Sequence, residues 1–369
     1  MTMYNTNIMF QRVKNFREKY QQYIMPIAIV AGFLLDAITL NRIDQVFDNA
    51  VFIVHLLIVG TLVVFLFSKN TKLGEKLKVS KRENLFNTIV VFSFGALFSG
   101  FIIFYGRSGS LTSSWPFILL LAGLMLGTEI RRDYYKKIVF QISFLYLALF
   151  TYLIFFLPVV IAQVGVGVFI ASGIISLVVI IFFLRLLKKI DKKHFIENIS
   201  AIRKRIILIY LIFNFLYFTN IIPPVPLSIK FKSVYHNIEV VGDNLYQGTY
   251  EEAPWYNILS KRSRTIHKQE TEPVFVFASV FAPARLRTSI YHSWQYYDEK
   301  EVKWVKTDRI KIPITGGRVD GFRGFSTKKN LFTGKWKVVI ETERGQRLGQ
   351  VRFTISSKYK NPELVIESL

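Results

Sequence analysis

The residues in this sequence that could do chemistry are few, and most sit near the ends of apolar runs. Asp36 lies within Leu34-Leu35-Asp36-Ala37 and His55 within Val54-His55-Leu56. A carboxylate at membrane depth costs on the order of 1 to 3 kcal/mol unless it meets a partner or water. If these runs are antiparallel helices joined by a short loop, Asp36 and His55 fall at nearly the same depth and can pair, with Arg42 and Asp44 one turn further out over the same pocket. Such a pair could act as acid and base on a bound headgroup. It serves equally well as a polar clamp between two helices.

A second group surrounds Arg107, with Tyr105, Ser108, Ser110, Ser113, Ser114 and Trp115. A guanidinium fork beside hydroxyls and an indole suits a phosphate or sugar headgroup. The same residues also read as a snorkelling arginine next to an interfacial tryptophan. Ser108 in Gly106-Arg107-Ser108-Gly109 lies at a span end, with no histidine left to activate it, so serine catalysis is not expected. Glu129 precedes Arg131 and Arg132, where a local ion pair explains it.

Towards the C-terminus His292 and Trp294 alternate, and Trp336 occupies another apolar stretch, the pattern of a core. Gly321 and Gly324 bracket Arg323 and would present it on a loop to a carboxylate or phosphate. His236, His267 and His292 lack metal-ligand spacing, and cysteine is absent. No Gly-rich nucleotide motif follows a strand. No catalytic residue, metal or cofactor is therefore expected. The candidate ligand-binding residues are Asp36, Arg42, His55, Tyr105, Arg107, Trp115, His292, Trp294 and Arg323.

Positioning these residues requires a membrane. The 369 residues are 51% hydrophobic, with a mean hydropathy of +0.32. Apolar runs predict about seven transmembrane helices at 24–40, 51–67, 85–105, 115–130, 138–157, 164–187 and 206–222. No small-residue cleavage site follows the first run, which is expected to remain as a span. Lysine and arginine number 21 in the tail and alternate loops, against Arg42 and Arg107 in the others. That bias places the N-terminus in the cytoplasm and everything after the seventh span outside. It also accounts for much of the net charge of +23, so nucleic acid is not an expected partner.

Pro223-Pro224-Val225-Pro226-Leu227 ends the last helix, and residues 223–229 read as a short stiff linker. Beyond it, Val274–Val280, Thr288–Tyr297, Val302–Ile314, Lys335–Thr342 and Arg347–Ile355 alternate with period two, separated by Gly316-Gly317, Gly334 and Gly345. The fold class expected is thus an α-helical membrane bundle, residues 1–222, followed by an extracytoplasmic all-β, immunoglobulin-like sandwich at 230–369. The +9 charge of the latter reads as a solvated outer sheet face.

Several phrases carry a family resemblance. In the helical part they are Gly32-Phe33-Leu34-Leu35-Asp36, Thr39-Leu40-Asn41-Arg42-Ile43-Asp44, Tyr105-Gly106-Arg107-Ser108-Gly109-Ser110, Ser114-Trp115-Pro116-Phe117 and the proline stretch with Tyr235-His236. In the C-terminal part they are Tyr291-His292-Ser293-Trp294, Gly316-Gly317-Arg318, Gly321-Phe322-Arg323-Gly324-Phe325-Ser326, Gly334-Lys335-Trp336 and Gly345-Gln346-Arg347-Leu348-Gly349. The chain resembles a bacterial multi-span membrane family whose C-terminal module is a domain of unknown function, DUF2914. Where that family shows a short Arg-Thr or Arg-Ser pair, this chain has Arg323-Gly324-Phe325-Ser326. The resemblance implies an architecture in the bacterial cytoplasmic (inner) membrane and no activity.

Function must then come from the residues. The favoured expectation is a non-enzymatic membrane protein whose external β-domain binds an envelope component or partner protein. The alternative is a transporter or membrane-embedded enzyme acting on a lipid-linked or anionic substrate at an outer-face polar pocket. Expected partners are membrane lipids, an envelope polymer, a lipid headgroup or a protein.

Overall fold

The computed structural model describes residues 31–369 apart from 109–110, 131–136, 243–244, 255–256, 258–260, 270, 284, 319 and 358–361, and the backbone alone at 111–113 and 128–130. The basic tail, residues 24–30 of the expected first span, and Arg131, Arg132 and Ser110 lie outside the described residues.

A helical N-terminal region precedes a β-rich C-terminal domain. The helices are α1 (31–39), α2 (Val46–Phe67), α3 (Lys72–Lys76), α4 (Val79–Ser108), α5 (Leu111–Ile130), α6 (Ile138–Ile161), α7 (Val166–Ile190) and α8 (Lys192–Phe218). Four of them, α2, α4, α6 and α7, are long and apolar enough to cross a membrane. Seven spans were expected, and among the described residues these four meet both conditions. α5 runs over 20 residues, and its apolar run is described over Ser114–Gly127. In α8 the basic residues Lys192, Lys193, Arg203, Lys204 and Arg205 share one helix with the apolar run. Ile206–Phe218 then rises about 20 Å, short of a hydrocarbon core of about 30 Å.

Two compact units emerge from the contacts: residues 1–103, 120–149 and 179–207 form one, and 104–119, 150–178 and 208–369 the other. In the first, Phe94, Phe98 and Phe144 pack with ring centroids 5.7 to 6.3 Å apart. Gln141 Nε2 of α6 donates to Asn87 Oδ1 of α4 at 2.8 Å, a buried amide pair that ties the two helices together. In the second unit Phe169 stacks on Tyr217 at 3.7 Å, and Ser172 Oγ donates to the Leu153 carbonyl at 3.0 Å.

The second unit also contains eleven described strands: β1 (Ser228–Tyr235), β2 (Asn237–Gly242), β3 (Leu245–Glu251), β4 (Thr265–His267), β5 (Val274–Phe281), β6 (Arg287–Asp298), β7 (Lys303–Thr315), β8 (Phe322–Lys328), β9 (Gly334–Thr342), β10 (Arg347–Ser356) and β11 (Leu364–Ser368). They form three sheets, ordered β1-β5-β8, β4-β10-β9-β6-β7 and β11-β3-β2. All pairings within these sheets are antiparallel except β10 with β4, which is parallel. The inward faces of the first two sheets share one core, in which Trp294, Trp336, Val276 and Phe353 are buried.

Ile222 to Leu227 are buried, so the proline stretch is packed rather than a free spacer. Leu227 joins a cluster with Val280, Ile290, Ile314 and Ile340. Gly316 follows β7 where a Cβ would sit 1.8 Å from the Pro283 carbonyl oxygen, so a larger residue there must displace the backbone.

Candidate functional site

The nine candidates divide between the two units. Asp36, Arg42 and His55 belong to the first, and the other six to the second. Arg42 Nε and Nη2 donate to Asp44 Oδ1 and Oδ2 at 3.0 and 2.8 Å, a bidentate local pair. The neighbouring acid Asp48, fully buried in the first turn of α2, accepts the backbone N–H groups of Asn41 and Arg42 at 3.0 and 2.9 Å. Asp48 therefore fixes the turn between α1 and α2, a role sequence reasoning missed. Asp36 lies within electrostatic reach of His55. No hydrogen bond joins them, and His55 Nδ1 is buried without a partner.

Tyr105 is not a surface ligand. It is fully buried, donates its hydroxyl to the Thr151 carbonyl at 2.8 Å, and packs against Phe117 with centroids 4.9 Å apart. Arg107 and Trp115 are exposed. Arg323 is not on a loop but is the second residue of β8, opposite Ser279 of β5. Gly324 beside it leaves room for Ile312, whose Cγ2 would lie 2.8 Å from an added Cβ.

His292 and Trp294 lie wholly within the core, and Ser326 of β8 joins them. Trp294 Nε1 donates to Ser326 Oγ at 3.0 Å, and that oxygen lies 2.8 Å from His292 Nδ1. One hydroxyl thus satisfies groups on β6 from the facing sheet. Burial holds the His292 imidazole down at about 4, so it stays neutral at ordinary pH, and its Nε2 has no partner. A histidine and serine so enclosed pin two sheets together and touch no solvent-borne substrate.

A second polar cluster ties the short strands. Glu251, at the end of β3, accepts from His236 Nε2 at 2.7 Å through Oε1 and from His267 Nδ1 at 2.8 Å through Oε2. Burial pushes the Glu251 carboxyl up, but the hydrogen bonds from His236 and His267 outweigh it and leave the group below its ordinary value. Each of these ring nitrogens is spent on a carboxylate oxygen. Among the described residues no group is arranged to hold a metal ion.

The open space in the second unit lies elsewhere. A cavity of about 110 Å³ is bounded by Pro158 of α6, Phe169 of α7, Tyr217 of α8, Pro223, Thr288 and Arg344. None of the nine candidates lines it. Arg344, in the β9–β10 turn, places its guanidinium carbon 4.2 Å from the Tyr217 ring centroid and 5.5 Å from that of Phe218. Asn220 Nδ2 donates to the Arg344 carbonyl and Gln346 Nε2 to the Ile222 carbonyl, both at 3.3 Å. The β9–β10 turn is thus bolted to the end of α8 by a cation–π stack and two hydrogen bonds. Sequence reasoning missed this seat, because Arg344 and Tyr217 are 127 positions apart and neither carries a local signal.

Comparison with known proteins adds a match over part of the chain. Residues 287–355, spanning β6 to β10, match the family described as "Protein of unknown function (DUF2914)". The C-terminal part of the chain is similar to that family. The match reaches none of the helices, so it supports the β-rich part of the resemblance and leaves the membrane part without such support. No curated protein matches. One solved structure that matches is the Pseudomonas fluorescens alkylpurine DNA glycosylase AlkC bound to DNA containing an abasic site analog. It is 10% identical over 85% of this chain and 99% of that one, with a TM-score of 0.20. A likeness that weak carries no argument about partners. The expectation that excluded nucleic acid is withdrawn on the charge itself: Lys306, Lys337 and Arg352 lie in one row across the five-stranded sheet, a cationic face that the helix-connecting loops do not account for.

Proposed function

We propose that the chain is a multi-pass protein of a bacterial cytoplasmic membrane that works by binding. Its N-terminus is cytoplasmic, and its β-rich domain, a sandwich of sheets, is extracytoplasmic. That domain recognises an envelope component outside the membrane, while the helices anchor it and register occupancy. The observation that carries this reading is the seat at Arg344, Tyr217 and Asn220. A module that merely hung from the membrane would need no fixed contact with the helix end.

The polar groups of the β-domain support binding over catalysis. His292 and Ser326 are enclosed, and Glu251 is engaged on both oxygens. The test is co-sedimentation of the detergent-purified full chain with the solid wall fraction of its host, freed of lipid and protein. The chain is expected to pellet with the solid. A chain that stays in the supernatant at both low and physiological salt would contradict the proposal.

A further inference from the structure

The outward face of the five-stranded sheet collects charge in a way the sequence does not display. Strand pairing places Lys306 of β7, Gln295 of β6, Lys337 of β9 and Arg352 of β10 in one row across four strands. The rows beside it add Lys335 and Arg309, and the next adds Lys311 and Arg347. At the usual strand spacing the central row reaches about 14 Å from Lys306 to Arg352.

Acidic residues do not neutralise this face. Glu341 is its one carboxylate among the described residues, and Arg309 Nε donates to it at 2.9 Å. Glu299 of the β6–β7 turn lies 3.8 Å from Lys335. No carboxylate pairs with Lys306, Lys337, Arg347 or Arg352 among the described residues.

Lys337 is the centre of the arrangement. Its side chain is nearly buried, and its ammonium lies 4.2 Å from the Trp304 ring centroid. Burial, with Arg347 and Arg352 close by, holds that ammonium down to about 8. Clustering like charges about a desolvated amine is unfavourable unless an anion joins them. Trp304 and Tyr297 pack together at the edge of the row, with centroids 5.2 Å apart and both rings half-exposed. Each also carries a lysine on its ring, Lys337 and Lys335, which leaves edges and flanks rather than open stacking platforms.

We propose that this face docks a linear polyanion of carboxylate-bearing sugar units, laid across the strands from Lys306 to Arg352, with the nearly buried Lys337 beneath it. The cation row supplies the charge complement, and the exposed parts of Trp304 and Tyr297 receive the apolar faces of the sugars. The row lies wholly within the segment that matches the DUF2914 family. The proposal deepens the binding reading above and rests on it only for the side of the membrane on which such a polymer is met.

The test uses the detergent-purified full chain, so sidedness does not enter. Polygalacturonate, its monomer, neutral dextran and an oligothymidylate of matched charge are titrated at low and physiological salt. The polymer is expected to bind at least about tenfold more tightly than the monomer, with affinity falling as salt rises, and dextran is expected not to bind. Lys306→Glu with Arg352→Glu, both at exposed positions, should weaken the polymer at least about tenfold while the melting temperature is kept. Lys329→Glu with Arg318→Glu makes the same change in net charge away from this row and should leave binding within about twofold.

Equal losses in the two double variants would mean a net-charge effect and overturn the proposal. Absent polygalacturonate binding would overturn it too, even if the chain still pellets with wall material. Tighter binding of the oligothymidylate would assign the face to nucleic acid instead.

Discussion

At the scale of single residues, Ser326 does more than any of the nine candidates named from sequence. Ser326→Ala would leave Trp294 Nε1 and His292 Nδ1 buried without a partner. That should lower the stability of the β-domain by about 1 to 3 kcal/mol, read as an earlier tryptophan-fluorescence transition in urea. His292 makes a separate prediction about pH. Its folded value, about 4, lies below the ordinary histidine value, so the unfolded chain binds the proton first. The stabilisation is complete above about pH 6.5 and is lost as pH falls towards 4, a loss of about 3 kcal/mol. Glu251 acts in the same sense at lower pH, because its carboxyl is held below its usual range and its contribution disappears only as it protonates. Melting temperatures between pH 7 and 4 should therefore slope in the native chain and lose most of that slope in His292→Leu. An unchanged slope would show that His292 is not the titrating group. The sequence showed that His292 and Trp294 share a face. It could not show Ser326 as their partner, because that contact crosses from one sheet to the other.

At the scale of elements, what was legible is what repeats locally. The five strands from Val274 to Ile355 were readable because β-branched and aromatic residues alternate between glycine turns, and β5, β6, β7, β9 and β10 follow them within one or two residues. β8 was not readable, since Phe322-Arg323-Gly324-Phe325-Ser326 looks like a loop until Ile312 explains its glycine. The short strands β4 and β11 were equally hidden, because their partners lie far along the chain. Among the helices, the apolar length of α2, α4, α6 and α7 was plain, whereas α8 joins a basic segment to an apolar one in one helix. The seat between the β9–β10 turn and α8 yields the element-level prediction. Arg344→Ala removes the stack on Tyr217 and Phe218 at a cost of about 1 kcal/mol. Hydrogen exchange should accelerate in peptides covering 217–227 and 342–346 together, with the β9–β10 core unchanged. Acceleration in only one of the two would mean that the turn and the helix end are not coupled.

At the scale of the whole molecule, sidedness turns on the helices that are not obviously spans. The four clear spans among the described residues are even in number, so alone they would leave the two ends of the helical region on the same side. Only if α1, α5 and α8 also cross do the basic loops stay inside and the β-rich domain emerge outside. Loop charge predicts that outcome, and apolar length alone does not. The chain has no cysteine, so single-cysteine variants are clean reporters. Lys76→Cys, in α3, and Lys300→Cys, in the β6–β7 turn, both replace exposed side chains. The most direct measurement is labelling of each with a membrane-impermeant maleimide in intact spheroplasts and again after permeabilisation. The account predicts that Lys300→Cys labels in intact spheroplasts and that Lys76→Cys labels only once the membrane is opened. Labelling of Lys76→Cys in intact spheroplasts, with Lys300→Cys protected, would contradict it.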